Sequence, residues 1–224
     1  MKINADFDQR VLLHADQIDW AASPMPGVSR RPLDRIGDEV ARATTIVRFD
    51  PGSAFSPHTH GGGEEFIVLE GVFQDEQGDF PVGAYVRNPP TSRHTPGSAP
   101  GCVIFVKLWQ FDPEDRSHVR IDMNKIGAVS DPDRPGIRVT PLFEDAHEQV
   151  RLEHWAPGTE ARIATAGGAE LLVLEGTAES DGETLRKHSW LRAPDGAGIA
   201  LTAGADGARI WVKTGHLRKI TVPG

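Results

Sequence analysis

The stretch Gly52-Ser-Ala-Phe-Ser-Pro-His58-Thr-His60-Gly-Gly-Gly-Glu64-Glu65-Phe-Ile-Val-Leu-Glu-Gly71 sets two histidines and a carboxylate just ahead of an apolar run, Phe66-Ile67-Val68-Leu69. A further histidine, His94, follows the proline-marked break Asn88-Pro89-Pro90. Side chains alternate faces along a β-strand, so His58 and His60 project to one side, about 7 Å apart along the chain. The Gly61-Gly62-Gly63 run permits a sharp reversal that would bring Glu64 back beside them on the next strand. Three neutral imidazoles and one carboxylate form an all-nitrogen-and-oxygen set for a divalent first-row ion: zinc, iron, nickel, manganese or copper, not an ion selected by thiolates. A His-x-His pair alone is more often surface decoration or a satisfied hydrogen bonder. The pair, the glycine hinge, the carboxylate, the apolar strand and His94 together assign His58, His60, Glu64 and His94 as ligands of one ion. His14, His118, His147, His154, His188 and His216 lack such company and read as packing or surface residues.

Seventeen prolines and 24 glycines are spread through 224 residues, with short apolar runs between them. That composition predicts many short strands and tight turns, a mainly β chain with one large domain or two small ones. One cysteine, Cys102, excludes an intrachain disulfide, and its setting Cys-Val-Ile-Phe-Val predicts a buried, inert thiol. The N-terminal residues carry no apolar core, and no run approaches the ~20 apolar residues of a membrane span, so the expectation is a soluble cytoplasmic protein with no membrane partner. A net charge of −8 argues against a direct grip on nucleic acid. The charge is uneven: the first 115 residues carry 10 basic and 17 acidic side chains, and the remainder 14 and 15.

The chain also repeats itself at a period of about 105 to 109 residues. Val11-Leu12-Leu13 parallels Val119-Arg120-Ile121, and Phe66-Ile67-Val68-Leu69-Glu70-Gly71 parallels Leu171-Leu172-Val173-Leu174-Glu175-Gly176. Tyr85-Val86-Arg87-Asn88-Pro89 parallels Trp190-Leu191-Arg192-Ala193-Pro194, and Val106-Lys107 parallels Val212-Lys213. Two domains are therefore expected, residues 1–115 and 116–224. At this repeat the second copy has Ala164 and Ala166 for His58 and His60, Ala169 for Glu64 and Ile199 for His94. Buried ligands without an ion are costly, so a copy that gives up the metal should replace them together, and the second domain is expected to be metal-free. Arg87 recurs as Arg192 where no metal chemistry is expected, which points to a structural ion pair. Tyr85, replaced by Trp190, is expected to line the metal pocket.

Gly52, His58, His60, Glu64 and Gly71 resemble the first motif of the cupin superfamily, and Gly83, Pro89 and His94 its second, with Thr91 where that motif has glycine. His-Thr-His-x-Gly-Gly-Glu-Glu-Phe, Gly71-Val-Phe-Gln-Asp75-Glu76-Gln-Gly78 and Val86-Arg-Asn-Pro-Pro-x-Ser-x-His94 look like the ChrR-type cupin domain, over most of residues 25–110. The resemblance implies two tandem jelly-roll barrels, or double-stranded β-helices. It implies a zinc-type sensor or regulatory module related to an anti-sigma factor, with an oxidant or small molecule as ligand and a sigma factor as partner. The ChrR zinc domain uses a His-xxx-Cys-xx-Cys pattern, which a sequence with one cysteine does not contain. Cupins with three histidines and a glutamate also resemble metal-dependent dioxygenases of small enolisable diketones or hydroxyketones, and a third reading is a structural bicupin. Exposed strand edges predict a homodimer.

Overall fold

The computed structural model describes residues 1–223. Among them the chain is built from β-strands with a single short 3-10 turn, Ala15–Gln17, as the glycine- and proline-punctuated apolar runs predict. The chain divides into two compact units, and each is a β-barrel of the expected kind.

The first unit comprises Met1–Ala5, Ile18–Lys125 and residues 221–223. Its main sheet runs, in spatial order, Lys2–Ile3, Val28–Gly37, Ala41–Phe49, Cys102–Leu108, Glu64–Asp75, Ala84–Asn88 and Val119–Asp122, all antiparallel. A separate two-stranded ladder joins His58–Thr59 to Arg93–His94. Alternation assigns the two faces: Phe66 and Val68 share the interior with Val47, Phe49, Val86, Ile104 and Val106, and Phe73 and Phe80 belong to the same core cluster. Cys102 belongs to this core, and burial pushes its thiol up to about 11, consistent with an inert role.

The second unit comprises Asp6–Gln17 and Ile126–Ile220. Its sheet runs Val129–Ser130, Ile137–Glu144, Gln149–Trp155, Ile199–Thr214, Ala169–Ser180, Ser189–Ala193 and Val11–His14. The 16-residue strand Ile199–Thr214 is its spine, pairing with Gln149–Trp155, Glu160–Ile163 and Ala169–Ser180. Ile137, Trp155, Leu171, Val173, Leu191 and Ile210 form the core.

The internal repeat is visible in the pairing. Arg87 and Tyr85 sit opposite Val119 and Ile121, and Arg192 and Trp190 sit opposite Val11 and Leu13. The strand that opens each sequence copy therefore closes the sheet of the other copy. The expected boundary at 115/116 is corrected accordingly: residues 6–17 belong to the second unit and 116–125 to the first. A short apolar run such as Val11-Leu12-Leu13 fits the edge of either sheet, and sequence order does not say which one receives it.

Candidate metal centre

The small ladder puts His58 directly opposite His94, and His60 follows on the same side of its strand. The three imidazole rings converge, with centroids 5.0 Å apart for His58 and His60, 5.2 Å for His58 and His94, and 4.7 Å for His60 and His94. Glu64 begins the next long strand, with its Oε2 3.4 Å from His94 Nε2 and 3.8 Å from His60 Nε2. One ligand atom from each residue lies within 4.8 Å of all the others. Ligand atoms at about 2.1 Å from a common ion stand roughly 3–4 Å apart, so the set fits one ion.

Two further observations carry the fit. The Nε2 atoms of His60 and His94 are buried without a hydrogen-bond partner, an arrangement that costs free energy unless something occupies the space between them. The opposite ring nitrogens of His58 and His94 are engaged: His94 Nδ1 lies 3.0 Å from Asp75 Oδ2, and His58 Nδ1 lies 3.0 Å from the Ser56 carbonyl oxygen. Donation from Nδ1 leaves Nε2 as the lone-pair nitrogen and fixes the ring plane. Glu64 Oε2 accepts a hydrogen bond from Asn88 Nδ2 at 3.2 Å. Asp75 and Asn88 were not picked out as site residues by the sequence. Both lie inside the ChrR-like stretches, but a supporting role depends on where a side chain points.

The electrostatics split the imidazoles. Burial, ahead of the charges of His94 and His58, lowers the pKa of His60, and Glu64 offsets this only in part. Burial also acts to lower His94, but the hydrogen bond it donates to Asp75 and the charges of Glu64, Asp75 and Glu76 outweigh it and raise the value. His60 is therefore held as a neutral ligand, while His94 carries the carboxylate-supported position.

The glycine run has a second role beside the reversal. A Cβ on Gly61 would lie 2.7 Å from the Trp109 ring, one on Gly62 2.4 Å from it, and one on Gly63 2.4 Å from Phe111. Gly62 and Gly63 also accept backbone hydrogen bonds from Phe111 and Trp109. The loop that delivers Glu64 is thus pressed against the 109–111 segment at backbone distance.

Tyr85 does not line this pocket. It pairs with Ile67 and Arg87 pairs with Glu65, so both stand on the sheet face opposite Glu64. There the Tyr85 hydroxyl donates to Glu65 Oε1 at 2.5 Å. Arg87 meets Asp115 at 2.8 Å and Glu65 at 3.8 Å, with its guanidinium 4.2 Å over Phe111. The second unit repeats the network: Trp190 Nε1 donates to Glu170 Oε2 at 3.0 Å, and Arg192 stacks 4.1 Å over Phe7. His216, read from sequence as ordinary, joins it through a 2.9 Å contact with Glu170.

The second unit's counterpart of the ligand set follows a constant offset of 105 residues. Ile163 faces Ile199 as His58 faces His94, so the positions equivalent to His58 and His60 are Ile163 and Thr165, not Ala164 and Ala166. Ile163, Ala169 and Ile199 are part of the core, and Thr165 Oγ1 accepts a hydrogen bond from the Gly198 amide. The apolar replacement expected from sequence holds at three of the four positions, and the one polar residue has a partner.

A cavity of about 370 Å³ opens inside the first barrel beside the ligands. His58 and Glu64 form part of its wall, Phe49, Phe55, Phe73 and Ile104 supply an apolar lining, and Arg30 and Arg35 face it from the strand Val28–Gly37.

Residues 8–112 match the family model of the ChrR cupin-like domain. No curated protein matches the chain by sequence. Among solved structures, a provisionally assigned dioxygenase of Nostoc punctiforme superposes with a TM-score of 0.76 at 16% identity, over 97% of this chain and 87% of that one. The Escherichia coli protein Ylba superposes at 0.71 and 14% identity, covering 96% and 94%. The Escherichia coli pirin YhhW, in complex with nickel(II), superposes at 0.64 and 17% identity, covering 92% and 99%. These similarities establish a cupin fold along essentially the whole chain.

Proposed function

We propose that this chain, with its ChrR-like cupin domain, is a metal-dependent bicupin whose first barrel holds one divalent ion through His58, His60, Glu64 and His94. On this reading it acts as a dioxygenase on a small enolisable diketone or hydroxyketone. The observation that carries the reading is the cavity: two ligands, His58 and Glu64, form part of the wall of an apolar chamber of about 370 Å³. A metal that only tied strands together would need no such chamber, and binding sites for small organic molecules have volumes of about 300–1,000 Å³. A divalent ion there supplies Lewis-acid polarisation of substrate oxygens and a template for their orientation.

The chain's own residues then have distinct tasks. Phe49, Phe55 and Phe73 give the chamber an apolar wall against which the hydrophobic part of a substrate packs. Glu64 contributes the negative charge of the ligand set and is held in place by Asn88, while Asp75 holds the His94 ring. The nickel in the pirin structure and the dioxygenase assignment of the Nostoc protein are consistent with a site that does more than bind zinc.

Protein purified without added metal, analysed for its elements and assayed for oxygen uptake on a panel of enolisable diketones and hydroxyketones, tests the reading. Uptake by the wild type that is reduced about 100-fold or more in Glu64→Gln supports it. A second reading, a metal-dependent sensor, is favoured by the ChrR-like match over residues 8–112. It predicts no turnover on any compound of the panel, with metal- or oxidant-dependent capture of a sigma factor instead.

A further inference from the structure

The cavity carries one feature that a site for a neutral diketone does not require. Arg30 lies on the inward face of its strand: it pairs with Val47, and Val28, two residues earlier, is in the barrel core. Arg30 is half-buried at the chamber wall, and a guanidinium placed there is well positioned to pair with an anion that enters the chamber. Among the described residues none supplies that anion. Burial, and after it the charge of another cation, Arg35, holds Arg30 below the ordinary guanidinium value. Arg35 is anchored by donating to the Gly37 and Asp38 carbonyl oxygens. The Asp38 carboxylate is engaged by the chain's terminal amino group at 2.6 Å, and its charge also acts on Arg35, so the cation left without a neighbouring anion is Arg30. Glu39 stands at the same rim, exposed, and among the described residues makes no ion pair with either arginine. Two cations thus face one apolar chamber whose wall also carries the metal ligands His58 and Glu64.

We infer that Arg30, assisted by Arg35, is the anion-recognition element of this cavity, and that the molecule it takes has an apolar body ending in a carboxylate. The inference rests on the proposed small-molecule site and names its substrate class: an oxo or hydroxy acid with a hydrophobic segment. A planar guanidinium pairs with a carboxylate through two parallel hydrogen bonds, and the aromatic lining accepts the rest of the molecule. Both arginines are half-buried, so a carboxylate held there keeps one side near solvent while its apolar body lies among Phe49, Phe55 and Phe73.

The test uses the metal-loaded protein and matched pairs of four to ten carbons, each a carboxylate and its neutral amide, such as 3-phenylpropanoate and 3-phenylpropanamide, with binding followed by calorimetry. Wild type should bind the carboxylates about 10- to 100-fold more tightly than the amides, the range for one charge-assisted pair. Arg30→Gln should abolish that preference, leave amide binding and metal content unchanged, and keep the melting temperature close to wild type. Arg30→Lys, which retains charge without the bidentate geometry, should restore part of it. The inference is overturned if no carboxylate binds more tightly than its amide. A preference that persists in Arg30→Gln and in the double variant with Arg35→Gln also overturns it, because the metal would then be the anion's partner. Oxygen uptake reports on the dioxygenase reading separately: an Arg30-dependent carboxylate preference without turnover sinks that reading and leaves this inference standing.

Discussion

At the scale of single residues, the ligand atoms owe their positions to partners that make no contact with the ion. Asp75 holds His94 through Nδ1, and without it the ring loses both its tautomer preference and its orientation. Asp75→Asn is expected to weaken metal affinity about 10- to 100-fold with the fold intact, measured by competition with a chromogenic chelator. An unchanged affinity would remove Asp75 from the account. The four ligands were legible in the sequence because three of them are close neighbours at strand spacing and the fourth follows a proline-marked turn. Tyr85 was misplaced because the face a strand residue takes depends on register, and one residue of slip exchanges the pocket for the opposite face. The same one-residue sensitivity separates Ile163 and Thr165 from the adjacent Ala164 and Ala166.

Between elements, the glycine loop and the strand exchange carry most of the organisation. Gly61 has an ordinary backbone conformation, so its requirement is the Trp109 ring alone, whereas a Cβ on Gly62 would also meet the Trp109 Cα at 2.7 Å. Gly61→Ala should therefore cost about 1–3 kcal/mol and reduce metal loading by shifting the entry of Glu64, and Trp109→Leu in the same chain should recover part of both. Gly62→Ala should not be recovered by that change, since backbone is in the way; denaturant unfolding and metal analysis distinguish the two cases. The strand Val11–His14 gives the complementary test, because Leu12 packs against the second unit's core. Leu12→Asp should destabilise the protein by about 1–3 kcal/mol while metal content stays at one ion per chain. Loss of the ion, or no change in stability, would contradict the assignment of that strand. Sequence showed that Val11-Leu12-Leu13 and Val119-Arg120-Ile121 are counterparts. It could not show the exchange, since hydrogen bonding at a sheet edge does not record which copy a strand came from.

Over the whole molecule, duplication has produced two barrels that keep one buried polar network and differ in what fills the mouth. Glu65, Tyr85 and Arg87 are matched by Glu170, Trp190 and Arg192, whereas the His58, His60, Glu64 and His94 positions are matched by Ile163, Thr165, Ala169 and Ile199. The network is retained in the second unit, where the described residues form no such ligand set, which marks it as part of the scaffold. The ligand set is replaced as a group, which marks it as the functional difference between the copies. The measurement that tests this most directly is the metal content of the full chain, by elemental analysis, beside His60→Ala/His94→Ala in the first barrel. One divalent ion per chain in the wild type and none in the double variant is the predicted result. Two ions per chain, or an ion retained after both substitutions, would contradict it.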